Sequence, residues 1–318
     1  MSIILVKAPL SPEEMAMITK EFPRYTIFPD FDGSVMPGKE QWDDIEIIYA
    51  DSLDAEEIPH IPRLRWVHAP VPYLNKICVP LLKDKENIII TTTRGKDITT
   101  VGEYIISAVL AFAKNMFLWK TSYRGNYDSE NSAILETMWT AEGKKFLQIG
   151  LGEEGTEVAR RAQELGFYVW GAQEQRSFHP YCNKTFAIEG ISAILPNADV
   201  VAISLPRDGS YDYKLGTEEI SLIKDDAILV ISGLGNALDV EALTEAAKTK
   251  KFRGIIIDAI EDMTIPPTSP LWEMPNVIIT PHVATSPEST EHRGFMTFLH
   301  NLRQFSSGTF SEMRNIVI

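Results

Sequence analysis

The sequence predicts an α/β protein built on parallel β-sheets with helices on both faces, and three observations carry that prediction. Short apolar runs without polar alternation recur along the chain, separated by polar or helix-patterned segments, as strands buried on both faces do. Near the middle, the stretch KKFLQIGLGEEGTEVARRAQELGFYVWGAQEQR, from Lys144 to Arg176, sets strand, glycine turn, helix and strand in immediate succession. Finally, the 318 residues are long enough for two domains, each with its own core, and 44% hydrophobic with 23% charged content is ordinary for a soluble globular protein.

The first half alternates strands and helices. Ile3 to Val6 is the first expected strand, and Ser11-Pro12-Glu13-Glu14 then opens a helix, with serine at the N-cap, proline at the first helical position and an acidic first turn. Ile45 to Tyr49, Leu64 to His68 and Ile88 to Thr92 are further strands. Val101 to Leu118 predicts the longest apolar helix of the chain, and its all-round apolarity suits burial at an interface between domains or subunits. Lys120 to Gly143 has no strong period and reads as an arm or extended connection.

The central stretch carries a dinucleotide fingerprint. Phe146, Leu147 and Ile149 form a strand that ends in Gly150-Leu151-Gly152-Glu153-Glu154-Gly155, a G-x-G-x-x-G pattern. Val158, Ala159, Ala162 and Leu165 recur at helical spacing until Gly166, and Phe167 to Trp170 is the next strand. In such a unit Gly150 allows the tight turn, Gly152 lets backbone approach a pyrophosphate, Gly155 lets helix pack on strand, and the helix N-terminus offers free N–H donors. Two departures stand beside it. The acidic residue that would hold a ribose 2′-hydroxyl is replaced by Gln173, with Glu174 beside it and Arg176 further on, which leaves NAD against NADP open. Glu153 and Glu154 suit the helix dipole but oppose a diphosphate, and are expected to face solvent.

The alternation then resumes. Ala198 to Leu205 and Ala227 to Ser232 are strands, Val240 to Lys250 a helix, and Ile255 to Asp258 and Val277 to Thr280 the last strands, so that both halves read as variations on one doubly wound theme. A final helix near Glu288 to Phe305 is expected to return the chain to the first domain.

Composition narrows the partners. The 44 acidic residues against 30 basic ones give a formal charge of -14, which argues against nucleic acid or an anionic membrane and leaves a small-molecule ligand. Two distant cysteines, Cys78 and Cys182, have neither C-x-x-C nor metal-ligand spacing, so no metal site is expected and a reduced, cytoplasmic setting fits. The N-terminus MSIILVKAPLSPEE lacks the basic leader of a signal peptide, and no apolar run approaches the roughly 20 residues of a membrane span.

Several local patterns fall in one order: LRWVHAP at Leu64, TTTRG at Thr91, VGEYIISAVLAFA at Val101, GKKFLQIGLGEEG at Gly143, ADVVAISLP at Ala198, AILVISGLGNALDVEAL at Ala227, GIIIDAIEDMTIPPTSPLWEMPNVIITPHVA at Gly254, and the closing RNIVI. Together they resemble the D-isomer-specific 2-hydroxyacid dehydrogenases, which include phosphoglycerate and glyoxylate/hydroxypyruvate reductases. The resemblance implies two Rossmann-like doubly wound domains, the cofactor domain inserted in the substrate domain. Residues 1–97 with 288–318 would form the flavodoxin-like substrate domain, and 98–287 the dinucleotide-binding domain. It also implies NAD or NADP as cofactor, and a homodimer formed through the long helix and arm.

Such enzymes pass a hydride between nicotinamide and the C2 carbon of a 2-oxo acid while a histidine moves the proton on the C2 oxygen. By resemblance that histidine is His282, in Thr280-Pro281-His282-Val283-Ala284 just past a strand end. Asp258 matches the residue that contacts the nicotinamide carboxamide; a plain strand-end turn former is the alternative reading. The substrate-handling positions depart from the family. Leu234 stands where its arginine is expected, Met263 where its glutamate is expected, with Glu261 and Asp262 nearby, and Val71-Pro72-Tyr73 replaces its Ser-Ala-Gly carboxylate loop. Two hypotheses follow: an NAD(P)-dependent oxidoreductase with His282 as acid/base, acting weakly or on an altered substrate in a pocket of Val71, Pro72, Tyr73, Leu234 and Met263, or a non-catalytic descendant acting as a nucleotide-binding or regulatory module.

Overall fold

A computed structural model describes residues 2–30, 39–71, 74, 76–95, 98–122, 129–205, 213–232, 238–259, 265–281, 283–284 and 287–317, of which 39–40, 121–122, 129–130, 259 and 287–290 are described by backbone alone. The chain divides into two compact units, Met1–Lys96 with Pro287–Ile318, and Asp97–Ser286.

The first unit runs β1 (Ser2–Val6), α1 (Pro12–Glu21), β2 (Tyr25–Pro29), α2 (Lys39–Trp42), β3 (Ile45–Tyr49), β4 (Trp66–Ala69), α3 (Val79–Lys83) and β5 (Ile89–Thr92). Its sheet has the order β2-β1-β3-β4-β5, all pairs parallel, so the strand order reverses between β1 and β3. Both faces are covered as the apolar runs require. Ile4, Val6, Ile47 and Trp66 pack with Phe295, Phe298, Leu299 and Leu302, and Ile3, Leu5, Val67 and Ile90 pack on the other face with Ile58, Ile61 and Leu82. The edge strand β2 leaves little trace in the sequence because only Tyr25 of its five residues is fully buried.

The second unit contains α4 (Ile98–Ala113), α5 (Met116–Ser122), α6 (Ser129–Glu136), β6 (Lys145–Ile149), α7 (Glu153–Glu164), β7 (Tyr168–Gln173), β8 (Lys184–Ala187), β9 (Val200–Ile203), α8 (Thr217–Leu222), β10 (Ile228–Ser232), α9 (Val240–Lys248), β11 (Gly254–Ala259) and β12 (Val277–Pro281). Its parallel sheet has the order β12-β11-β10-β9-β6-β7-β8, reversing between β6 and β9, and α10 (Pro287–Ser307) then returns to the first unit. The architecture is therefore α/β with two doubly wound parallel sheets, as the alternation predicted.

The helix expected over Val101 to Leu118 is not continuous. It breaks at Asn115, whose φ of 52° lies in the left-handed region that asparagine tolerates. The break is held in place: Asn115 Nδ2 donates to Ile134 O and Thr137 Oγ1, each at 2.8 Å, while its Oδ1 accepts from Arg253 at 3.2 Å. The segment expected as an arm or extended connection contains the helix α6. The buried side of α4, with Val101, Ile105, Val109 and Phe112, lies on its own unit's core, where Gly254 leaves room for the Phe112 ring. Among the described residues no helix is long and apolar enough to cross a membrane, and no cluster of His, Cys, Asp and Glu could hold a metal ion.

Candidate nucleotide site

The glycine turn lies where the strand order of the seven-stranded sheet reverses, the place at which open α/β sheets bind ligands. Gly150 leaves β6 with φ +86°, and its N–H donates to Ala172 O of β7 at 2.8 Å. A Cβ there would lie 2.2 Å from Ser204 O, so both conformation and space demand glycine. At Gly155 a Cβ would stand 1.9 Å from Gly150 O, which is how closely α7 approaches the turn. Beneath it the fully buried Gln148 donates from Nε2 to Gly150 O at 3.1 Å. Gly152 is the opposite case: a Cβ added there would meet nothing within 4 Å.

Gly152 is the N-cap of α7 and brings no side-chain cap, so the N–H groups of the first turn have no intrahelical acceptor, and the space a Cβ would take at Gly152 is open. Those donors, the dipole of α7 and the room at Gly152 together fit a diphosphate. Glu153 and Glu154 are both exposed, as the sequence led us to expect. At the neighbouring strand end, Gln173 donates from Nε2 to Ser177 Oγ, and Arg176 is exposed three residues on.

Asp258, next to the last residue of β11, is almost completely buried, at 2% exposure. Its Oδ1 accepts from Thr280 Oγ1 at 2.7 Å and Val283 N at 2.9 Å, and its Oδ2 from Ala284 N at 3.1 Å. The carboxylate thus grips the chain on both sides of residue 282. Tyr104 of α4 completes the relay, since Thr280 has spent its proton on Asp258 and Tyr104 Oη must donate to Thr280 Oγ1, at 2.6 Å. Burial pushes the Tyr104 phenol up, which keeps that proton in place. Neither Tyr104 nor Thr280 stands out in the sequence, because the contact joins positions 176 residues apart.

Val71 is half-buried and packs in the first unit's core beside Leu74 and Cys78. Pro72, Tyr73, Leu234, Met263 and His282 lie outside the described residues. The structure therefore brings together Gly150, Gly152 and Gly155 at one turn, sets Gln173 and Arg176 at the end of β7, and places Asp258 under the 280–284 segment.

A doubly wound parallel sheet with an uncapped glycine turn at its switch point defines a dinucleotide-binding α/β protein. Residues 106–284, more than half of the chain, match the family described as D-isomer specific 2-hydroxyacid dehydrogenase, NAD binding domain. The chain belongs to that family of NAD(P)-dependent D-2-hydroxyacid dehydrogenases. Among its relatives, the glyoxylate reductase of Korarchaeum cryptofilum is 26% identical over 266 residues, covering 82% of this chain and 79% of that one. The D-3-phosphoglycerate dehydrogenase of Escherichia coli is 35% identical over 155 residues, which cover 48% of this chain and only 37% of that enzyme. Two solved structures share the fold: a D-isomer specific 2-hydroxyacid dehydrogenase family protein from Aeromonas salmonicida, at TM-score 0.76 and 20% identity over 100% and 99% of the two chains, and D-lactate dehydrogenase from Aquifex aeolicus complexed with NAD and lactic acid, at TM-score 0.68 and 21% identity over 99% of each chain.

Proposed function

We propose that the chain is an NAD(P)-dependent oxidoreductase that binds its cofactor on the Gly150 turn and acts on a carbonyl compound lacking the usual carboxylate handle. The observation that carries this reading is the combination of an open, uncapped turn at Gly152 with an apolar residue, Leu234, at the place of the family's arginine. When bound, the nicotinamide supplies or accepts the hydride. His282 moves the proton on the carbonyl oxygen, and Asp258 positions it by holding Thr280, Val283 and Ala284. Leu234 offers no donor to a substrate carboxylate, and Met263 cannot raise the pKa of His282 as a paired carboxylate would.

No carboxylate at Gln173 excludes a 2′-phosphate and Arg176 can meet one, so both NADH and NADPH are admitted. Residues 1–97 with 288–318 act as the substrate domain and 98–287 as the cofactor domain, in a cytoplasmic homodimer. Exposed Met116, Phe117 and Leu118 at the end of the expected dimer helix support that association.

The two exposed carboxylates of the first turn, Glu153 and Glu154, favour a second reading, a nucleotide-binding or regulatory module without turnover. Calorimetric titration with NADH and NADPH decides first. Binding below millimolar concentration is expected, and no binding by either removes the oxidoreductase reading. Hydride exchange with an apolar carbonyl substrate should then be lost in His282→Ala; binding without turnover across a broad carbonyl panel favours the regulatory module.

A further inference from the structure

We propose that His179 and Thr156 form a latch that orients the Leu151–Gly152 peptide and so sets the nucleotide affinity of the glycine turn; this rests on the reading of that turn as a nucleotide site. His179 lies in the segment between β7 and β8, outside the G-x-G-x-x-G pattern. The backbone N–H of Tyr181 donates to His179 Nδ1 at 3.4 Å, which places the ring proton on Nε2. His179 Nε2 then donates to Thr156 Oγ1 at 3.1 Å, and the single hydroxyl proton of Thr156 goes to Leu151 O at 3.2 Å. Burial lowers the pKa of His179, in keeping with the neutral ring this sequence of donors requires.

The consequence follows from the planar trans peptide, in which C=O and N–H point in opposite directions. With Leu151 O drawn toward Thr156 on α7, the N–H of Gly152 points away from Thr156, and the space a Cβ would take at Gly152 is open. That is the donor a phosphate oxygen would meet first. The same segment also holds the Leu151 side chain. A Cβ on Gly171 would lie 2.7 Å from both Leu151 Cδ1 and Cys182 Sγ, so leucine and cysteine fill the space that Gly171 leaves. Cys182 Sγ stands 3.5 Å from His179 Nδ1, and burial pushes the thiol up to about 12, so it remains protonated and serves as a weak donor to the ring. His179 and Thr156 are positioning residues, acting on the nucleotide through a backbone group. They also join the segment that follows Gln173, where an adenosine ribose would lie, to the pyrophosphate turn.

The test uses the full chain, with ADP and NADPH as probes. Thr156→Val keeps the side chain's shape and removes the hydroxyl. It should bind ADP about tenfold more weakly, the loss expected when one donor to a charged acceptor is misdirected. Thr156→Ser, which keeps the hydroxyl, should bind within about twofold of the parent, and His179→Ala combined with Thr156→Val should be no worse than Thr156→Val alone, because both changes open one latch. Amide exchange of the peptide covering 151–155 should quicken in Thr156→Val without ligand, which a general loss of stability spread over the unit would not confine there. Thr156→Val binding ADP like the parent, with unchanged exchange at 151–155, overturns the latch. If the parent chain binds neither ADP nor NADPH, the nucleotide reading falls and the affinity role with it, and the exchange measurement alone decides whether the latch holds the turn.

Discussion

In the five-stranded sheet the crossover from β1 to α1 is closed by its own side chains, whereas in the seven-stranded sheet the crossover from β6 to α7 is left open. After β1, the N–H groups of Lys7 and Ala8 both go to Tyr49 O, at 2.8 and 3.3 Å, and the Lys7 ammonium pairs with Glu57 at 2.6 Å. Helix α1 then consumes its own donors in a capping box: Ser11 Oγ accepts from Glu14 N at 3.2 Å, Glu14 Oε2 accepts from Ser11 N at 2.9 Å, and Pro12 has no N–H to offer. After β6 there is glycine in place of the serine cap, so no N-cap side chain accepts from the first turn of α7. Two doubly wound parallel sheets of different strand order thus differ in whether the helix that follows the first strand carries a side-chain cap of its own, and that difference is made by three or four residues.

The largest effect on this contrast should come from Gly155→Val. Its Cβ would meet Gly150 O at 1.9 Å, a backbone atom that moves only if α7 leaves β6. Overpacking of that kind against backbone costs about 3 kcal/mol or more, which in a unit of this size lowers the thermal midpoint by roughly 6 °C or more. Differential scanning calorimetry with and without NADPH should show the midpoint lowered and the ligand-induced rise abolished. A variant that keeps both would mean that the close approach of α7 is not what forms the open turn.

A second contrast concerns the histidines. His68 is fully buried in the first unit, stacked on Tyr49 at 5.6 Å between ring centroids, with its Nδ1 2.7 Å from Thr91 Oγ1, which also accepts from Trp66 Nε1. Burial lowers its pKa to about 3. The folded value lies below the unfolded one, so the unfolded chain takes up the proton first. Stability is full above the ordinary histidine pKa and declines as pH falls from there toward 3, by roughly 1.4 kcal/mol per pH unit inside that window. His179 in the second unit shifts the same way but is only partly buried. Between pH 6 and about 5, above the range where carboxylates such as Glu21 and Asp199 begin to titrate, the five-stranded unit should therefore loosen first. Amide exchange resolved by segment tests this, and His68→Phe should flatten the slope in that unit; an equal slope in both units, unaffected by the substitution, would speak against it.

These contrasts were legible in the sequence to different depths. The glycine turn and the Ser11 N-cap could be read because each is a local pattern whose spacing maps directly onto one turn of backbone. Leu234, Met263 and His282 could be assigned only by their distance from strand ends that the resemblance supplied. The break at Asn115 was hidden inside an apolar run, because the left-handed conformation there is held by Ile134, Thr137 and Arg253, none of them close in sequence. The edge strand β8 was hidden for a related reason, since its four residues are half-buried at best and carry little apolar signal. Thr156 with His179, and Tyr104 with Thr280 and Asp258, are polar contacts across the fold, and no periodicity announces a hydrogen bond between distant positions.

The smallest effects in stability sharpen the opening comparison most. Ser11→Ala removes the α1 cap and should cost about 1 kcal/mol without changing nucleotide affinity, because that helix end serves only itself. Gly152→Ser makes the reverse change, giving α7 the cap that α1 has. The backbone permits it, since Gly152 has φ -64°, open to any residue, and nothing lies within 4 Å of a new Cβ. Serine in place of glycine at an N-cap stabilises by only a few tenths of a kcal/mol. Yet its hydroxyl would accept one of the N–H groups that an anion needs, and its Cβ would stand in the space the anion would fill. The expected outcome is a thermal midpoint unchanged or slightly raised together with ADP binding weakened about tenfold or more, measured by calorimetric titration. Unweakened binding in Gly152→Ser would mean that the open N-terminus of α7 is not the nucleotide site, whatever its resemblance to one.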